Sequence, residues 1–280
     1  MTRIKKLFRW SNERGIIWVT LLLFRWVLSR IKDMLETLIK DKIETSMIRI
    51  ETQNLITGKD TISASYHSAQ ENKQIWNNYD WSNYGEEWTD DVRLLRGLDP
   101  IEWKNTVRDE MILKHFRNGS TLLEIGPGAG RWTSILLELA GNLILADISE
   151  KCLQICRERF KSYSNIQYFL INNGSLEGLD YESVDGVWSY DAFVHISPAE
   201  IEDYLASIKR VLKPGGCAVI HHAGTYVDEV EARKKRFRSY IDAPLFQHLV
   251  RKYGMQILEQ NDSLPHLPGD IISVFQHVQK

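Results

Sequence analysis

Hydrophobic periodicity divides the chain into two unlike parts. Between residues 31 and 50, Ile31, Met34, Leu35, Leu38, Ile39, Ile43, Met47 and Ile50 recur at steps of three and four, which puts them on one face of a helix. Such a stripe needs a partner, within the chain or on a second copy, and it is too short to establish a long coiled coil. Residues 52–74 are polar without sustained period and read as a linker or a mobile flap. The expected organisation is a helical N-terminal extension with its linker, 1–74, and a second domain, 75–280.

From residue 121 onward short apolar runs alternate with helical stretches. Strands are expected at 121–125, 143–146, 166–171, 184–189, 217–221, 255–259 and 271–278, and helices at 132–140, 150–161, 199–212 and 244–253. The turn of Lys213, Pro214, Gly215 and Gly216 is expected to open the fifth strand. Strands separated by helices of this length pair in parallel through right-handed crossovers, so the expected fold is α/β, a doubly wound seven-stranded sheet.

Composition narrows the function classes. The 280 residues are 43% hydrophobic and 26% charged, which is globular and excludes low-complexity or wholly disordered chains. A net charge of -2 lacks the basic excess that a nucleic-acid partner requires. Three cysteines without a CxxC spacing suit a reducing compartment, hence the cytoplasm.

The first 32 residues depart from this balance, with eight basic side chains against Glu13 alone. Their apolar stretch, GIIWVTLLLFRWVL at 15–28, would span about 21 Å as a helix, short of the roughly 30 Å hydrocarbon core, and it contains Arg25. No small-residue cleavage site follows, so neither a membrane crossing nor export is expected. Two readings stay open: packing on its own domain or a second subunit, or peripheral contact of residues 1–32 with the inner face of an anionic membrane.

Chemistry begins where the first strand ends. Glu124, Ile125, Gly126, Pro127, Gly128, Ala129 and Gly130 place an acid and three alternating glycines between strand and helix, where positive φ and a helix N-terminus admit a ligand against the backbone. Asp147 ends the second strand about 20 residues on, where a carboxylate can accept bonds from both hydroxyls of a ribose. Asp147 reads equally as a helix cap, although Ser149 can fill that role.

These segments resemble class I S-adenosylmethionine-dependent methyltransferases: LLEIGPGAGRWT the cofactor loop, LADIS the ribose-binding strand end, RVLKPGG the turn before the fifth strand. The resemblance runs from Trp76 to the C-terminus and implies a Rossmann-like methyltransferase sheet with S-adenosyl-L-methionine as cofactor. It further implies that Glu124, Gly126, Gly128 and Gly130 surround the methionine part, Asp147 holds the ribose and Ile148 packs on adenine. Asn173 with Gly174 stands where the family often has an Asp facing the adenine amine; an amide can accept that bond without charge, and Asn173 also reads as a turn residue. WNNYDWSNYGEEWT, GRWT, SYDAFVHI and IHHAG resemble, more narrowly, bacterial methyltransferases associated with O-antigen and other surface polysaccharides, which implies a sugar hydroxyl as acceptor.

Transfer to a hydroxyl asks for in-line alignment and removal of a proton. Asp191 and His195 follow the fourth strand, and His221 and His222 end the fifth, all at the ligand edge of such a sheet. Strand alternation lets only one of His221 and His222 face a pocket; His222 with His195 and Asp191 are the expected catalytic residues, the rival reading being core packing and loop support. Asp191 with a histidine could bind a divalent metal, but no tight ligand spacing demands one, so none is expected. Trp76, Tyr79, Trp81, Tyr84 and Trp88, with Glu86 and Glu87, read either as a lid over 75–90 that stacks on sugars or as anchors to the sheet. Arg131 is placed to steer an anionic ligand. Arg233, Lys234, Lys235, Arg236 and Arg238 read as a solvated helix face or as a site for phosphate or a uronate. Two rivals to sugar O-methylation follow: methyl transfer to another small metabolite, and a catalytically silent scaffold, against which the intact loop and Asp147 argue.

Overall fold

The computed structural model describes residues 68–87, 89–172, 175–224, 239 and 241–278. The expected N-terminal helices, Trp88, Asn173, Gly174 and the basic cluster at 233–238 lie outside the described residues. The chain divides into two units, Met1–Thr61 and Ile62–Lys280, and the second carries everything below.

Helix α1 (Ala69–Asn78) begins inside the stretch expected as linker. A capping box starts it: Ser68 accepts from the Glu71 amide while the Glu71 carboxylate takes the Ser68 amide. Periodicity does not announce this helix; contacts with distant segments hold it, among them the Ala69 amide to Glu200, Asn72 Nδ2 to the His195 carbonyl and Ser149 Oγ to Asn77 Oδ1. Helices α2 (Thr89–Arg96) and α3 (Pro100–Val107) follow, the second capped by Asp99 and running into a π-helical turn at Arg108–Leu113.

The sheet then forms in alternation with helices: β1 (Ser120–Ile125), α4 (Thr133–Leu139), β2 (Ala140–Asp147), α5 (Glu150–Arg159), β3 (Ile166–Leu170), β4 (Val184–Ser189), α6 (Pro198–Val211), β5 (Leu212–Ala223), α7 (Ala243–Lys252), β6 (Met255–Asn261) and β7 (Asp270–His277). Strand order is β3-β2-β1-β4-β5-β7-β6. This is the doubly wound seven-stranded sheet expected, in which β7, whose direction the sequence left open, runs antiparallel between β5 and β6. A loop of only 262–269 connects β6 to β7, too short for a crossover helix, so these strands form a hairpin. The Lys213 to Gly216 turn is absorbed into β5 with a register shift opposite Val184 and Gly186.

Alternate strand residues enter two cores. Leu123, Ile144, Ile220 and Phe246 belong to one, Leu122, Leu143, Val219 and Trp188 to the other. Burial on both faces keeps the strand order fixed and leaves the carboxyl ends of the parallel strands as the exposed crevice, at the point where β1 and β4 diverge.

Candidate active site

One cavity of about 270 Å³ opens at that crevice. Its near wall is the loop after β1. Gly126 (φ +70°) and Gly128 (φ +55°) hold left-handed backbone; a Cβ on Gly126 would stand 2.5 Å from the Ala192 side chain, and one on Gly128 would meet the Trp81 ring at 3.0 Å. Gly126→Ala is therefore expected to reshape the loop and lower affinity for S-adenosylhomocysteine by about tenfold or more, measured by calorimetry. Gly130 serves packing instead, its missing Cβ admitting Phe160, and it does not line the cavity.

Glu124 also stays off the cavity. It lies buried beneath the loop, accepting from Thr133 Oγ1 at 2.6 Å, and burial pushes its carboxyl up to about 8, with Asp147 adding to the rise and the Thr133 hydroxyl opposing it. The folded chain thus holds a proton here that an unfolded glutamic acid releases near pH 4.5, so its contribution is full below that value and is lost as pH rises toward 8. Glu124→Gln is expected to raise the melting temperature relative to the parent at pH 8.5 and to change it little at pH 4.5, in thermal unfolding monitored by circular dichroism.

Asp147 lies at the end of β2, buried yet bordering the cavity. Oδ1 accepts from the Ser149 amide at 2.8 Å and Oδ2 from the Gly128 amide at 3.3 Å. Burial raises this carboxyl to about 6, against the pull of the backbone N–H groups of Ser149, Gly128 and Ile148. The helix cap of α5 is Ser149, which accepts from Cys152 and donates to Asn77, leaving Asp147 to the crevice. Ile148, Ile171, Ile196 and Tyr204 complete an apolar slot beside it. Positive-φ glycines that leave room at the loop, a carboxylate at the strand end and an adjoining apolar slot fit a nucleoside cofactor such as S-adenosyl-L-methionine.

The far wall is built after β4. Asp191, at φ +64°, turns its carboxylate among three basic groups: Arg131 Nη1 lies 3.0 Å from Oδ2, while His221 Nδ1 and His266 Nδ1 lie 3.2 and 3.6 Å from Oδ1. Burial alone would raise the Asp191 carboxyl, but His266, His221 and Arg131 together hold it well below the usual range. His221 Nε2 stands 3.2 Å from Asp270 Oδ2, and the ring stacks on Tyr190 at 4.2 Å. Burial would lower the His221 pKa; the bonds to Asp191 and Asp270 win and raise it.

Arg131 is 4% exposed and lies 5.7 to 5.8 Å from the rings of Trp103, Trp132 and Tyr190. Its charge already faces Asp191, which leaves little of it to steer an anion, while Nε and Nη2 have no hydrogen-bond partner among the described residues.

Alternation does put the two histidines on opposite faces, but neither lines the cavity: His221 is buried behind Asp191. His222 points into the opposite core, stacked on Phe246 at 3.9 Å and bonded to Ser273 Oγ at 2.7 Å, and burial lowers its pKa to about 3. It does not line the cavity. His195 does, at the end of a 3-10 turn (Phe193–His195), 5.1 Å from the Trp76 ring. Of the residues expected to hold cofactor or act in catalysis, Gly126, Gly128, Asp147, Ile148, Asp191 and His195 border one space. His221, His266 and Asp270 were not expected at the site. Parity along β5 makes His221 the partner of Val219, but nothing local marks His266 or Asp270, which arrive from the β6–β7 hairpin.

In the aromatic segment Trp76 and Trp81 border the cavity, with Tyr79 packed 4.9 Å from Trp81; Tyr84 is exposed. Glu86 is engaged with Lys104 and Thr89.

Comparison with known proteins agrees with this architecture. Residues 122–216 match the family described as methyltransferase domain. The demethylmenaquinone methyltransferase of Tropheryma whipplei (strain Twist) is 34% identical over 102 residues, covering 36% of this chain and 41% of the relative, so the chain spans less than half of that enzyme's length. The ubiquinone/menaquinone biosynthesis C-methyltransferase UbiE of Citrobacter koseri is 25% identical over 240 residues, 84% of each chain. The PH0226 protein of Pyrococcus horikoshii OT3 shares the fold at a TM-score of 0.55 and 17% identity, over 71% of this chain and 100% of that one.

Proposed function

We propose that this chain, which carries a class I S-adenosylmethionine-dependent methyltransferase domain, transfers the methyl group to a hydroxyl of a sugar in surface-glycan synthesis. One observation carries the reading: a single cavity among the described residues is bordered by Gly126, Gly128 and Asp147 and also by Asp191 and His266 beside aromatic rings, with His221 buried behind Asp191. The bound cofactor supplies an electrophilic methyl on a sulfonium.

The chain supplies the rest. Asp147 accepts from the ribose hydroxyls, and Ile148, Ile171 and Ile196 give the adenine an apolar slot. Trp76 and Trp81 cover the loop side and exclude water. Trp132 and Tyr190 offer flat faces on which a sugar ring can lie. Arg131 Nε and Nη2 donate to acceptor oxygens, which answers the question of what satisfies these buried groups. The Asp191 cluster meets the reacting hydroxyl and provides for loss of its proton. Residues 1–32 would hold the enzyme at the cytoplasmic face of the membrane; equal flotation with anionic liposomes by the full chain and by one lacking them would remove that part.

Calorimetry with S-adenosylhomocysteine comes first, since a silent scaffold need not bind it. Labelled methyl transfer to a panel of glycosides, quinols and amines, with the product position read by mass spectrometry, then decides the acceptor. An O-methyl glycoside is expected; a C- or N-methylated product would overturn the reading.

A further inference from the structure

We infer that Asp191, His221 and His266 form a binding site for a divalent transition-metal ion that holds the acceptor hydroxyl. The inference rests on the methyltransferase reading for its role, and on geometry alone for the site.

The three donor atoms lie within 4.8 Å of one another. Both imidazole Nδ1 atoms converge on the same carboxylate oxygen, at 3.2 and 3.6 Å from Asp191 Oδ1. A first-row ion bound at about 2.1 Å by each ligand sets neighbouring donors about 3.0 to 3.5 Å apart; both histidine-to-carboxylate distances are near that range, and any wider span between donors, up to the 4.8 Å within which all three lie, closes on binding. A proton-transfer dyad needs one imidazole and one carboxylate; a second imidazole aimed at the same oxygen suits ligation. Arg131 occupies Oδ2 and so leaves Oδ1 to the histidines.

The surroundings match a metal centre in a second respect. His221 Nδ1 lies 3.1 Å from the Asp191 amide and 3.2 Å from Asp191 Oδ1; when that nitrogen carries the lone pair, the ring proton sits on Nε2, 3.2 Å from Asp270 Oδ2. Ligation through Nδ1 uses this tautomer, with the ion replacing the amide as partner. A carboxylate on the far nitrogen of a ligating histidine is the usual outer support, and Asp270 of β7 stands 3.2 Å from that nitrogen, placed to supply it once the ion fixes the ring. Two imidazoles and one carboxylate select a zinc, iron, cobalt, nickel or manganese ion over magnesium or calcium.

Three protein ligands leave positions open, and Asp191 and His266 border the cavity. A hydroxyl bound there is acidified. Its proton passes to solvent as the oxygen forms a bond to the methyl carbon and the carbon–sulfur bond breaks, the electron pair remaining on the thioether product.

The test uses the full chain stripped with chelator. Titration with Zn²⁺ by calorimetry and with Co²⁺ by visible absorption is expected to give one ion per chain, with a dissociation constant on the order of micromolar or tighter. His221→Ala and His266→Ala should each weaken binding by about 100-fold, and Asp270→Asn by about 10- to 100-fold. His248→Ala, at an exposed helix position, should leave it unchanged. Unaltered S-adenosylhomocysteine affinity certifies that each variant is folded. Absence of binding in that range, or binding indifferent to His221 and His266, would overturn the metal site. Methyl transfer that persists in the stripped chain would overturn the metal's role while leaving the methyltransferase reading intact, and failure to bind S-adenosylhomocysteine would strike that reading and not the site.

Discussion

Asp147→Ala is expected to weaken S-adenosylhomocysteine binding by about 100-fold or more while the fold survives. The carboxylate is the one ionised acceptor at the nucleoside end, and a hydrogen bond to a charged group contributes about 1.5 to 3 kcal/mol, with two ribose hydroxyls to serve. Substitution removes both. Of its backbone partners, Gly128 and Ile148 line the cavity, where water can replace the lost oxygen, while the Ser149 amide is buried beside it. The pH dependence follows from burial, which lifts this carboxyl to about 6. The ligand favours the ionised form, so affinity should be level above pH 7 and fall by about tenfold per unit below pH 6. Calorimetry between pH 5 and 8 checks both statements; a flat profile in the parent, or wild-type affinity in the variant, would show that the diol is held elsewhere.

His266→Ala should do the opposite. Turnover on the acceptor identified by product analysis is expected to fall by about 10² to 10⁴, with S-adenosylhomocysteine affinity within threefold of the parent. His266 touches Asp191 and Tyr190 at the far wall and makes no contact with the glycine loop or Asp147 in the bonds described. The companion variant His222→Ala separates chemistry from packing. His222 fills a space against Phe246 and bonds Ser273, so its loss should lower the melting temperature, with a destabilisation of about 2 to 4 kcal/mol, and spare turnover in the folded fraction. Single-turnover rates and thermal melts on both variants settle the assignment; a stable His222→Ala protein that has lost activity would reverse it.

Much of the fold is legible along the chain because local chemistry and tertiary packing agree. Apolar runs bounded by glycine or by helix caps give β1 to β4 to within a few residues, and Pro198 with Ser197 marks the start of α6. Helix α1 was not legible: its polar sequence has no apolar stripe, and it is fixed by a capping box and by contacts with His195 and Glu200, far along the chain. The β6–β7 hairpin escaped for a related reason. Strand runs can be read from composition, but their direction depends on whether the connection can carry a helix across the sheet, and only ten residue numbers separate Asn261 from Asp270 when both ends are counted.

The site divides the same way. Amino-acid order alone determined the glycine loop, the carboxylate ending β2 and the acid and histidine after β4, because each depends on residues adjacent in the chain and on a strand that stops where they begin. Folding decided which of His221 and His222 packs against Asp191, since a period of two fixes their opposition but not which core lies on which side. Folding also brought His266 and Asp270 to Asp191 from about 80 positions away, through a hairpin laid antiparallel against β5. A one-dimensional pattern carries alternation and spacing; the meeting of side chains from separate strands exists only once the sheet has closed on its order.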